Sequence, residues 1–111
     1  MTIKWVKSDP LVMNGEPFCY GSRLTVRNVL EMRANGLPPR DIQIQNPELR
    51  LVGIAEAFRY AGEHRSRYVD FFDADGHIDG PGFNSDEVAA LPEHLRDLPG
   101  IVLSTPEPAG A

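Results

Sequence analysis

Between residues 14 and 62, glycine and proline recur at intervals that leave room for three short helices and for nothing longer, and this punctuation constrains the fold most. Thr25 can cap a first helix that carries Val26, Val29, Leu30 and Ala34 on one stripe, and Asn35-Gly36 supplies the left-handed stop with which helices commonly end. A second, short helix starts near Pro39, whose fixed φ suits a first turn, and ends before Pro47, with Ile42 as its main buried contact. The third runs from about residue 51 to 63, with Leu51, Ile54, Phe58 and Ala61 on one face and Glu56, Arg59 and Glu63 largely on another. Gly53 weakens its first turn by up to about 1 kcal/mol relative to alanine.

The flanks read differently. Residues 3–7 and 17–20 are β-prone runs separated by the turn formers Ser8-Asp9-Pro10 and Asn14-Gly15, and they suit a hairpin or small sheet. Past the third helix, residues 68–72 look like a strand and 73–82 like turn material. Asn84 followed by Glu87 resembles a capping box. Val88, Leu91, Leu95 and Leu98 then keep a helical spacing that Pro92 breaks or restarts, residues 101–103 suit a last short strand, and residues 106–111 lack packing groups and are expected to be disordered.

A chain of 111 residues can close one core but not two. Its apolar runs are too short to span a bilayer, residues 1–7 do not form a secretory signal, and the single Cys19 excludes an internal disulfide framework and fits a reducing cytoplasm. The net charge of −5 conceals a split. Residues 1–67 hold ten Lys or Arg against seven Asp or Glu, a balance of +3, whereas residues 68–111 hold one Arg against nine acids, a balance of −8. A basic front and an acidic back suit nucleic-acid contact at one end and an interaction tail at the other; an unevenly charged, solvated surface is the plainer alternative.

The run Gly15-Glu-Pro-Phe-Cys-Tyr-Gly21-Ser-Arg23-Leu-Thr-Val26 is followed by Val29-Leu30, Asn35-Gly36, Asn46-Pro47-Glu48-Leu49 and Ala57-Phe58-Arg59-Tyr60-Ala61. In order and spacing this half of the chain resembles the bacterial family catalogued as domain of unknown function 433. That family's pattern is a Gly-x-Pro, a Gly-Thr-Arg-Ile-x-Val, a helix ending at Gly, a Pro-x-Leu and an Ala-Leu-x-Tyr-Ala. The resemblance implies a helix-turn-helix-like fold and the antitoxin half of a toxin–antitoxin pair, which binds a nuclease-like toxin and represses its own operon. Several positions depart from the pattern. Ser22 replaces Thr but keeps a hydroxyl, Pro38 and Arg50 stand where helix-capping acceptors are usual, Asn46 replaces an aromatic, and Val52-Gly53 replaces positions that are often acidic.

In such a fold the helix from residue 51 would present its N-terminal side chains to base edges. Arg50 stands at its mouth, Arg59 two turns along, Arg40 on the preceding helix and Arg27 at the start of the first, and these four are the DNA-binding candidates. Each is equally readable as a solvated arginine covering apolar surface with its stem. Arg23, in the Gly-Ser-Arg turn, reads as an internal clamp to a carboxylate or carbonyl, and Gly21, Gly36 and Pro47 as the other structural positions. Glu56 on the supposed reading helix and the acidic total both oppose phosphate.

Other chemistries are poorly supported. Asp73, Asp75, His77 and Asp79 alternate as in a calcium loop, but the loop lacks Gly at its sixth position and has Asn84 at its twelfth, so a plain acidic turn is the better reading. His64, His77 and His94 make no zinc spacing with Cys19, and Cys19 has no neighbouring base, so it reads as a buried thiol. No metal, no cofactor and no catalytic group is assigned, and an enzyme is disfavoured.

The apolar residues beyond position 67, among them Phe71, Phe72, Phe83, Leu91, Leu95 and Leu98, are too many to leave exposed; they either fold back on the helical unit or bury against a partner. The sequence therefore predicts an α+β, mainly helical fold. It has a helix-turn-helix-like domain over 1–67 with short N-terminal strands, an acidic extension over 68–105 and a tail over 106–111. The expected protein is a cytoplasmic, dimeric antitoxin that binds a cognate toxin through that extension and operator DNA through its arginines. The alternative is a protein-interaction module of the same fold with no DNA binding.

Overall fold

A computed structural model describes residues 5–9, 11 and 15–104. The fold is α+β and mainly helical: among the described residues it comprises β1 (Val6–Lys7), β2 (Phe18–Cys19), α1 (Val26–Ala34), α2 (Pro39–Gln45), α3 (Leu51–Glu63) and α4 (Ser85–Ala89). β1 and β2 pair antiparallel, Val6 opposite Cys19 and Lys7 opposite Phe18. Residues 3 and 4 of the expected first strand, and the tail over 106–111, lie outside the described residues.

The helix ends follow from local chemistry. Thr25 Oγ1 accepts the Asn28 N–H at 3.0 Å while Asn28 Oδ1 accepts the Thr25 N–H at 3.0 Å, a reciprocal cap worth about 1 kcal/mol. After α1, Gly36 adopts φ +96°, where a side chain would be strained. Pro38 and Arg50, which precede α2 and α3, make no side-chain cap bond, so these starts depend on Pro39 in the first turn and on packing. Ser22 keeps its turn, its hydroxyl donating to the Cys19 carbonyl and accepting from the Leu24 N–H, both at 3.1 Å. Gly21 adopts φ +79° in the same turn, and Pro47 is exposed between α2 and α3.

One core joins both halves of the chain. Val26, Val29, Leu30, Ile42, Ile54 and Phe58 from the first half are fully buried with Tyr68, Phe83, Leu95 and Val102 from the second. Phe58 and Phe83 meet edge to face at 6.0 Å. Each such side chain contributes roughly 1.5–3 kcal/mol by leaving water. The segment after residue 67 thus folds back on the helices.

Three local expectations change. Residues 68–72 are not a strand but follow two 3-10 turns, Arg65–Arg67 and Val69–Phe71, in which the amides of Tyr68, Phe71 and Phe72 bond carbonyls three residues back and are lost to any sheet. Residues 101–103 form a turn whose amides all return to the Leu98 carbonyl, leaving only isolated bridges from Leu103 to Phe83 and Pro99. The break expected at Pro92 is observed: α4 ends at Ala89 and a 3-10 turn, Glu93–Leu95, carries Leu95 into the core. On α1, Ala34 is exposed and Arg33 occupies the buried stripe in its place.

Candidate functional site

The helix expected to read DNA is largely enclosed. Every residue from 51 to 62 is buried or half-buried, and only Glu63 is exposed. α3 packs against α1, α2, β1, β2 and the turns at 65–67 and 93–95. Trp5 covers Gly53, its Cε3 3.4 Å from where a Cβ would stand, and Ile101 presses on Gly62 at 3.0 Å by the same measure. A helix packed on this many sides presents little free face to a major groove, which is wide enough for an α-helix.

The arginines do not share one free surface either. Arg59 is bracketed on its own helix by Glu56 at 3.2 Å and Glu63 at 3.0 Å. Arg27 is held inward, donating to the Arg67 carbonyl at 3.0 Å with its guanidinium 5.2 Å from the Tyr68 ring centre and 5.7 Å from that of Phe71. Arg40 stands 3.9 Å from Glu87 of α4 with its side chain 71% exposed, and Arg50 is exposed. Glu56, expected on an open face, is 14% exposed and ties α3 to His94 at 3.2 Å.

Arg23 is exposed and makes no hydrogen bond or ion pair among the described residues, so it is no internal clamp. That role belongs to Arg33, which the sequence reading passed over. Its guanidinium donates to the carbonyls of Gly80 at 3.2 Å, Ile78 at 3.4 Å and Ile101, and lies 4.4 Å over the Phe58 ring. The approach is close enough that a Cβ on Gly80, at φ +94°, would fall 1.9 Å from the Arg33 carbonyl oxygen. Burial pulls the Arg33 pKa down to about 10, with Asp79 opposing, so the side chain remains a cation at neutral pH. An arginine three or four places after Val29 and Leu30, just before the glycine stop, was the available signal.

The partner-binding candidates are mostly consumed inside the chain. Phe83 and Leu95 are fully buried and Leu91 nearly so, while Phe71, Phe72 and Leu98 are half-buried against the same core. They serve intramolecular packing and offer a partner little surface.

What remains open is a groove of about 380 Å³ between the start of α3 and α4. Leu51, Val52 and Arg40 line it from one side. Leu91, Ala90, Asp86, Glu87 and the buried Phe83 line it from the other. Ile44, one helical turn beyond Arg40 and so on the same side of α2, is 69% exposed. The rim thus sets two carboxylates against one guanidinium around an apolar floor.

The remaining candidates have local duties. Asp73 Oδ1 accepts the amides of Asp75 at 2.9 Å and His77 at 3.0 Å, and these bonds, that from His77 foremost, hold its carboxyl below the usual carboxylate range. Asp73, Asp75 and His77 bring potential ligand atoms within 4.8 Å of one another, but the first already shapes the turn. Cys19 is buried in β2, and burial pushes its thiol up to about 12, which removes the thiolate needed for nucleophilic work. No described helix is long and apolar enough to cross a membrane.

A family model described as "Protein of unknown function (DUF433)" matches residues 6–61. That span takes in β1 through most of α3 and stops short of α4. No curated protein and no solved structure matches the chain.

Proposed function

The chain belongs to the DUF433 family, and on that premise we propose that it is an antitoxin-like protein-interaction module, which binds a cognate protein and does not read DNA through α3. The observation that carries this reading is the enclosure of α3, reinforced by the carboxylates beside Arg59 and Arg40. Phosphate approaching Arg59 also meets the exposed carboxylate of Glu63, and phosphate approaching Arg40 that of Asp86 across the groove. A basic protein, such as a nuclease-like toxin, meets a favourable field on the acidic half.

The reading is tested by mixing the purified chain with its own promoter DNA at low salt and, separately, with the product of the neighbouring gene. We expect no retarded DNA band and a complex with the neighbouring protein that survives gel filtration. Tight promoter binding that falls steeply with salt would refute it. One feature favours a second reading, an autorepressing antitoxin: Arg50 is exposed beside the mouth of α3. In that case Arg50→Ala would weaken promoter binding and lower its salt slope by about one.

A further inference from the structure

The protein-interaction reading leaves open where the partner sits and what it looks like. We propose that the groove between α2, α3 and α4 is a docking site for a partner polypeptide segment that carries apolar side chains next to lysine or arginine. The assignment rests on that reading.

Three observations commit the groove to this occupant. Its floor is apolar and partly uncovered at Leu51 and Val52, and Ile44, one turn of α2 beyond the lining Arg40, has 69% of its surface in water. An isoleucine so exposed, next to a concave apolar wall, is a seat for another apolar side chain. The rim is anionic: Asp86 is exposed and pairs with no cation among the described residues, while Glu87, whose Oε1 accepts the Asn84 amide, turns its Oε2 toward Arg40, 3.9 Å away. That contact is long and its arginine is 71% exposed, so an incoming cation can displace it at little cost.

On the α4 side the surroundings repeat the sign. The described part of the acidic half, residues 68–104, has Arg96 as its single Lys or Arg, and Arg96 Nε is already committed to the Leu91 carbonyl at 2.7 Å. A phosphate backbone or an acidic peptide would therefore approach against the field, and a basic segment along it. Only one wall of the groove comes from the part of the chain that the family model matches; α4 supplies the other. The site therefore reaches beyond the stretch that the family model matches.

The experiment uses the full chain with methyl-labelled side chains followed by NMR. The probe is an amphipathic peptide of about 14 residues built from leucine and lysine. Two comparison peptides keep the same length, one of leucine and glutamate and one of serine and lysine. We expect the leucine–lysine peptide to shift the methyls of Ile44, Leu51, Val52 and Leu91, and to bind at least about tenfold more tightly than either comparison peptide. Ile44→Asp and Asp86→Lys change exposed groups that make no core contact, so both should melt as the parent does while weakening the peptide by roughly tenfold.

Equal binding of the leucine–glutamate peptide, shifts confined to another face, or the same shifts produced by concentrating the chain alone or by adding duplex DNA would each overturn the assignment. The cognate complex separates this idea from the reading beneath it. If the doubly substituted chain still holds the neighbouring gene product, the groove is not the site although protein binding stands. If the unaltered chain holds no such partner, the protein-interaction reading fails, and the peptide titration still decides whether the groove takes a basic apolar segment.

Discussion

Replacing Arg33 by methionine should cost this protein a large share of its stability. The guanidinium donates to three carbonyls, of Ile78, Gly80 and Ile101, none of which accepts a backbone amide from the described residues. Hydrogen bonds from a charged donor contribute about 1.5–3 kcal/mol each, roughly 5–9 kcal/mol for the three, and the cost of desolvating the cation offsets several of these. Methionine keeps the apolar stem on Phe58 but leaves three buried carbonyls unpaired. The net loss should be about 3–5 kcal/mol, against the 5–15 kcal/mol typical of a whole domain. In urea the unfolding midpoint should fall by roughly 2 M, whereas Arg59→Met, which breaks only helix-surface pairs, should cost under about 1 kcal/mol. Arg33→Lys keeps the charge without the planar fork and should fall between the two, which gives a reading even if the methionine variant is unfolded in buffer. The sign with pH is fixed as well. Because burial lowers the pKa to about 10, the penalty for holding the cation is present at every pH below that value, and the clamp should show no pH dependence between 6 and 9. An Arg33→Met variant within 1 kcal/mol of the parent would refute the reasoning.

Other outcomes follow from single groups. The Tyr68 hydroxyl is buried without a hydrogen-bond partner among the described residues, so Tyr68→Phe should stabilise the fold by about 1 kcal/mol in the same titration; a loss of that size would show that the hydroxyl has a role. Burial raises Cys19 from 9.0 and Tyr68 from 10.0, each to about 12, so both folded groups hold their protons where the unfolded ones release them. Stability should therefore decline from about pH 9 toward 12, offset in part above about 10 where folded Arg33 sheds its proton before the unfolded one, as thermal melts across that range would register. Iodoacetamide at pH 8 should modify Cys19 only as fast as the chain opens, and rapid labelling of the native protein would contradict its burial. Thr25→Ala, which removes one arm of the reciprocal cap on α1, should cost about 1 kcal/mol by urea titration.

The parts of the fold that were legible in the sequence are those decided by neighbouring residues. Thr25, Gly36, Pro39, Pro47 and the Asn84–Glu87 pair each mark a boundary through chemistry within a few positions, and the observed helices begin and end beside them. Less legible was anything decided by distant packing. The run Tyr68-Val69-Asp70-Phe71-Phe72 has strand propensity, but its amides bond locally and its rings turn toward α1 and α3, which outweighs the preference. Arg33 looks in sequence like any helix-ending arginine; the three carbonyls that bury it lie 45 to 68 positions away. The candidate site was missed for the same reason. Arg40 lies on α2 and Asp86 on α4, and only the return of the second half of the chain sets them around one groove.

The enclosure of α3 also decides how the molecule opens. Amide protons along residues 54–61 are shielded by pieces from both ends of the chain, so none can exchange with heavy water until those pieces have let go together. The slowest-exchanging amides should therefore report the free energy of global unfolding, and they should lie inside the stretch that the family shares, kept dry in part by a stretch outside it.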